Sequence, residues 1–357
     1  MSEQRARIVT ALMIVVVGVD AFSFHNGAHD HIRSRRFQCL TWSMTPERPD
    51  ECIPARTADR PPYVPSDGNA MVAQCAKAVE RSFQDGIVRQ TVLFALVPPE
   101  EMIGGREPQI WAGGAEARLR EAARPLTEGL LGRLRVANLG GEDGAASPHM
   151  PPPVTVTDLW EFDGSAIATT AKAASSDANG AAGDVWAGIC FNTDAKYLTD
   201  IEETDAKVGP QRLFLLVNPA WKDLDSWGFD LLQPRAKARA RAAIFGKPKG
   251  LRYDITYGVV RFTVTVENKA RKALGVAARQ QHFCVCVKAF PHDWQVYTYH
   301  AYDPGAVFSK RVRGISGGDE EAKAVRVGTS PTRPTRLQVA ALIEAYTGPE
   351  LREAPCS

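Results

Sequence analysis

The chain has 357 residues, 44% of them hydrophobic, enough to bury one large core or two small ones. Lys and Arg number 43 against 41 Asp and Glu, so no global field points to a nucleic-acid partner. Seven scattered cysteines are not the spacing of a disulfide-stapled scaffold, and no apolar run reaches the roughly eighteen residues of a membrane span.

The N-terminus speaks first of place. Arg5 and Arg7 precede "IVTALMIVVVGV", an apolar run of signal-peptide length, and Val19 and Ala21 suit cleavage before Phe22. The following "FSFHNGAHDHIRSRRFQCLTW" is basic and poor in acids. A signal peptide over 1–21, then a transit-like leader and linker over 22–60, resembles the bipartite plastid leader of algae with secondary plastids. The expected location is a secondary plastid, stromal or thylakoid-associated, with no transmembrane span in the mature chain. An ordinary secretory signal followed by a disordered arm, and a retained single anchor, are the other readings. His25, His29 and His31 look ligand-like but sit in this leader.

The elements follow in order. "NAMVAQCAKAVERSFQDG" spaces Met71, Val72, Cys75, Val79 and Phe83 for a helix that stops at Gly86. "IVRQTVLFALVPP" is β-branched and ends in a double proline, which predicts a strand. "GGAEARLREAARPLTEGLLGRL" predicts a second helix, kinked near Pro125. Residues 138–153 form a polar loop, and "VTVTDLWEF" is a short strand. "DGSAIATTAKAASSDANGAAGD" reads as a low-complexity, flexible insertion. "VWAGICFNTDAKYLTDIEE" is strand, turn and helix, with Asp194 near the helix start.

In "LFLLVNPAW" the apolar run is continuous rather than alternating, as a strand covered on both faces requires. Leu213, Leu215 and Val217 should face one side, and Phe214 and Leu216 the other. Asn218 suits a turn, Pro219 ends the ladder, and Trp221 follows where open α/β sheets hold their crevices. A basic helix comes next, "DLLQPRAKARARAAIFG". The pattern then alternates through "DITYGVVRFTVTVE", "HFCVCVKAF" and "DWQVYTY", and the chain closes with the helix "TRLQVAALIEAYTG". The expected core adds Phe94, Phe262, Val264, Phe283 and Val285. The predicted fold class is α/β. It has a mixed sheet with a parallel central part, covering helices and a C-terminal antiparallel hairpin or strand extension.

These residues carry a family likeness. The helix ending in Asp-Gly, the strand into Asn-Pro, the arginine-rich helix and the Pro-x-x-Trp-Gln-Val pattern from Pro291 to Val296 stand in one order. This order resembles the uncharacterised domain-of-unknown-function family 1995 of cyanobacteria and plastids, which includes the plant Low PSII Accumulation 3 proteins. The likeness spans an α/β domain over 61–303 and leaves 304–357 as a C-terminal extension with a helix. It implies a plastid protein that assists photosystem II assembly, and it brings no established active site. The candidate binding residues are therefore Asn218, Pro219, Trp221 and Trp294, with Arg235, Lys237, Arg239 and Arg241 of the basic helix.

Other constellations carry less. "GISGG", residues 314–318, fits a nucleophile elbow formally but lacks the apolar strand before it and a later histidine. His282, Cys284 and Cys286 share one strand face and could ligate zinc, but no fourth ligand is near in sequence and core packing is the simpler role. "FGKPKG" lacks the ends of a phosphate cradle. Asp223 and Asp225 could hold Mg²⁺ beside the strand end. The basic helix could meet anionic thylakoid lipid, and it lacks the interleaved aromatics of a nucleic-acid surface. The expectation is a non-enzymatic assembly factor that binds photosystem II assembly proteins or subunits, or the thylakoid surface, with no catalytic residues, cofactor or metal. The alternative is an uncharacterised enzyme or nucleotide-binding domain with a pocket at the end of strand 213–217.

Overall fold

The computed structural model describes residues 60–96, 111–134, 153–174, 183–227, 235–267, 279–299 and 324–346, all within the unit Ala58–Ser357. Helix α1 (Gly68–Gln84) starts where the Asp67 side chain accepts from the Ala70 N–H at 2.8 Å, satisfying an otherwise orphaned donor. It buries Met71, Val72, Cys75 and Val79 along one stripe. Strand β1 (Arg89–Leu93) follows and is buried throughout. The expected second helix is α2 (Gly114–Arg118), a π turn (Leu119–Ala123) and α3 (Arg124–Arg133). Pro125 cannot donate within the helix and crowds the carbonyl of Glu121, so the predicted kink takes the form of that wider turn.

Strands β2 (Val154–Trp160) and β3 (Ala166–Ala173) form an antiparallel hairpin. β3 corrects the reading of its segment as a flexible insertion. Ala168, Thr169, Ala171 and Ala173 are buried; Ala171 and Ala173 face α2 and α3 and let them lie close against the sheet, while Ala168 faces α4. Strand β4 (Val185–Ile189) leads to α4 (Ala195–Val208), which the Asp194 side chain caps through the Lys196 N–H. Then come β5 (Phe214–Val217), a 3-10 turn (Leu224–Trp227) and α5 (Ala236–Ala240), which runs into a π turn (Arg241–Phe245). The basic helix is thus shorter than expected where described, and its predicted start over 230–234 lies outside the described residues. Strands β6 (Asp254–Glu267), β7 (Arg279–Ala289), β8 (Trp294–Tyr299) and β9 (Ala324–Ser330) precede α6 (Arg336–Ala345).

The nine strands of the described residues make one sheet in the order β2-β3-β4-β5-β1-β6-β7-β8-β9. The four central strands, β4, β5, β1 and β6, are mutually parallel, and both flanks are antiparallel. This is the mixed α/β sheet that the sequence predicts. β9 and α6, from the segment expected as an extension, belong to the same sheet and its cover.

Helices cover both faces. Leu213, Leu215 and Val217 pack with Val92, Phe94, Val285 and the residues of α1, α2 and α3. Phe214 and Leu216 point the other way, to Leu198, Ile201 and Ala240 of α4 and α5. Val264, Cys284, Cys286 and Val296 meet Val339 and Ile343 of α6. Phe94, Phe283 and Val285 are buried as expected, and Phe262 is half-buried at the edge of its cluster.

The amino ends of the central strands hold a charged knot. Arg89 is 1% exposed, yet it pairs with Asp205 and donates to the carbonyls of Gly209 and Arg212. Lys247 reaches the other oxygen of Asp205. Gln90 is likewise satisfied: it donates to the carbonyls of Val79 and Ile87 and accepts from Thr256 Oγ1 at 2.9 Å. Buried polar groups of this kind are tolerable only when fully partnered.

Candidate functional site

At the carboxyl end of the sheet the chain leaves β1 and β5 in opposite directions. After β1 it passes to the face covered by α2 and α3, and after β5 to the face covered by α5. Adjacent parallel strands that diverge in this way leave a crevice between their ends. Here that crevice is a cavity of about 180 Å³. Its walls include Leu93, Phe94, Trp111, Val259 and the Asn218-Pro219-Ala220 turn, and Arg118 and Arg333 add two guanidinium groups.

The turn is built by backbone geometry. Cys190 and Asn218, each the first residue after its strand, take positive φ values of 57° and 48°. Asn218 tolerates the left-handed region better than most residues. Its Oδ1 accepts from the Phe94 N–H at 3.0 Å and its Nδ2 donates to the Phe94 carbonyl at 2.7 Å. Pro219 closes the ladder, and the Ala220 N–H donates to the Phe191 carbonyl at 2.8 Å. Arg118 lies near Cys190, whose thiol burial raises to about 11 against the pull of that guanidinium. The Arg118 Nε is buried with no hydrogen-bond partner among the described residues.

The other candidates lie elsewhere. Trp221 packs on Trp227 with ring centroids 5.0 Å apart, on the far face under α4 and α5. Trp294 is 1% exposed and lies against β6, where a Cβ on Gly258 would come within 2.5 Å of its ring. Both are placed as core. Asp223 caps the following turn through the Ser226 N–H, and Asp225 pairs with Lys237 at 2.7 Å, so the two carboxylates turn to separate partners. Of the basic helix, Arg239 pairs with Glu202 at 2.6 Å and Arg235 and Arg241 stand exposed. His282, Cys284 and Cys286 are buried, and burial pushes both thiols up to about 12. Among the described residues no three His, Cys, Asp or Glu side chains gather as a metal site. The segment "GISGG" and the leader histidines lie outside the described residues.

The sequence reading missed Trp111, Arg118 and Arg333. Each is an isolated residue of common type, and only the crossing of α2 and the entry to α6 bring them to the strand ends. It also missed the tip of the β2–β3 hairpin, where Trp160 is 65% and Phe162 103% exposed. Tyr197 and Lys196 anchor that tip through Glu161, and Lys196 Nζ donates to the Trp160 carbonyl at 3.4 Å.

The sheet order, the cover on both faces and the crevice at its switch point define an α/β protein of the open, mixed-sheet class. The family model described as Domain of unknown function (DUF1995) matches residues 65–341, and the chain belongs to that family. The match takes in β9 and most of α6 as well as the parallel centre. No curated protein and no solved structure matches the chain. No helix among the described residues is long and apolar enough to cross a membrane.

Proposed function

We propose that the protein is a non-enzymatic plastid factor that assists photosystem II assembly and works docked on the anionic thylakoid surface. The plastid address rests on the leader, and the photosystem link on the resemblance to the plant Low PSII Accumulation 3 proteins. The observation that carries the docking is the exposed pair Trp160 and Phe162 beside a cationic helix. Lys196 holds the hairpin tip, while Arg239 holds Thr199 and Glu202 of the same α4 at 3.1 and 2.6 Å. Lys196, Thr199 and Glu202 recur every three residues, so α4 joins tip and basic helix along one side. Aromatic rings beside cations are the composition that settles at a lipid headgroup boundary.

Sedimentation with phosphatidylglycerol-containing vesicles tests the docking. Arg235 and Arg241 form no ion pair among the described residues, and each contributes about 1 kcal/mol on an anionic surface. Replacing both with glutamine should weaken binding roughly thirtyfold, and Trp160→Ala with Phe162→Ala should weaken it further. Unchanged sedimentation of all the variants would sink the lipid role. Co-purification of the native protein with photosystem II assembly intermediates tests the partner.

A second reading, in which the crevice beyond Val217 holds a small molecule, is favoured by the cavity itself.

A further inference from the structure

We infer that the cavity at the carboxyl ends of β1 and β5 is a binding site for a small anion bearing a carboxylate or phosphate group, which Arg118 holds. The inference rests on the second reading above and gives it a ligand class.

Size comes first. About 180 Å³ is below the several hundred cubic ångströms of pockets that hold drug-sized molecules or nucleotides. At about 30 Å³ per water in the liquid, it corresponds to on the order of six waters, the bulk of a small metabolite.

The lining selects the chemistry. Leu93, Phe94, Val259 and Trp111 border the cavity, each itself almost wholly buried. Asn218 turns its carboxamide to Phe94 and is spent on the ladder. Among the described lining residues the remaining side-chain polarity is cationic, from Arg118 and Arg333, and none of them is acidic. Glu121, one helical turn beyond Arg118, instead accepts from Trp111 Nε1 at 3.4 Å. Arg118 forms no salt bridge among the described residues, and its Nε is buried without a hydrogen-bond partner. A guanidinium left this way is costly, and a bound oxyanion satisfies it with a two-pronged, charge-assisted contact.

Calorimetry and Trp111 fluorescence with benzoate and phenyl phosphate test this, with benzamide as the neutral isostere. At least one anion should bind wild-type protein, benzamide should not, and Arg118→Met should weaken the anion about ten- to hundredfold. Arg118→Lys should fall between, keeping the charge but losing the planar fork. Without ligand, Arg118→Met should melt no lower than wild type, because it removes an unpaired buried donor. Equal binding of benzamide and the anions, or anion affinity indifferent to Arg118→Met, would overturn the anion assignment and leave the pocket. Binding of no probe would overturn both. A variant that fails to fold would make Arg118 a structural residue and sink the inference.

Discussion

Asn218 pairs with Phe94 through its side chain, both accepting from the Phe94 N–H and donating to the Phe94 carbonyl. The last backbone pair in that ladder is Val92 with Val217. The carboxamide therefore stands in for a strand residue after the Asn218 backbone has turned away at φ 48°. Asn218→Ala should cost about 3–4 kcal/mol, about 1 for each hydrogen bond plus about 1–2 for a left-handed alanine. Asn218→Gly loses the same bonds without the strain and should cost less. Urea unfolding measures both, and an equal loss would show that backbone strain plays no part.

Leu215 lies in the middle of the sheet with no exposed surface. Leu215→Ala should cost about 2–5 kcal/mol through lost transfer energy and the cavity left behind. A change of a few tenths on chemical unfolding would mean that the strand is not the core of the fold.

The reach of sequence reading here follows from how far each signal is local. The continuous run 213–217, the alternation through 283–287 and the Asp194 cap are each written in adjacent residues, and the sheet faces follow from them. β3 was hidden because "AIATTAKA" carries little hydrophobicity. Its burial comes from close helix approach, which small side chains permit and hydropathy does not register. The site was legible only by position. Asn218 and Pro219 do line the crevice, but the arginines facing them come from α2 and from the loop before α6, and no spacing in one chain announces that meeting. Trp221 and Trp294 misled because a tryptophan in a motif is a packing unit as readily as a contact.

The thiols give a test of burial in solution. Cys75, Cys190, Cys284 and Cys286 are all buried, and burial raises the pKa of each. Iodoacetamide at pH 8 should leave these four unlabelled until denaturant is added, as read by peptide mass spectrometry. Fast native labelling of Cys284 or Cys286 would contradict the packing under α6.

The same shifts set an alkaline limit. A thiol at 9.0 when unfolded and about 12 in the fold stays neutral in the native state while the unfolded chain ionises. Its stabilising contribution is whole below about pH 9 and falls as pH rises toward 12. Unfolding midpoints should therefore drop over that window, and Cys284→Ala with Cys286→Ala should flatten the drop. An unchanged slope would assign alkaline loss to the tyrosines, of which Tyr253 and Tyr257 are also raised by burial.

Arg89→Met should cost about 3–5 kcal/mol, because it strips Asp205 and two carbonyls of a buried donor. Lys247→Met should cost less, since the Lys247 side chain is 24% exposed and Asp205 keeps Arg89. Equal losses in guanidinium titrations would mean that the lysine carries the knot.

The place of β1 has a consequence for synthesis. It is the first strand among the described elements, yet it sits in the interior of the sheet, and its two neighbours begin far downstream at Phe214 and Asp254. On the ribosome it emerges long before either partner exists, so the parallel heart of the fold closes late, after the hairpin and α4 have been made. A nascent strand left waiting is an invitation to stick to its neighbours. Arg89, Gln90 and Thr91, half of whose work in the finished protein is to be satisfied internally, make that waiting strand a poorly adhesive one.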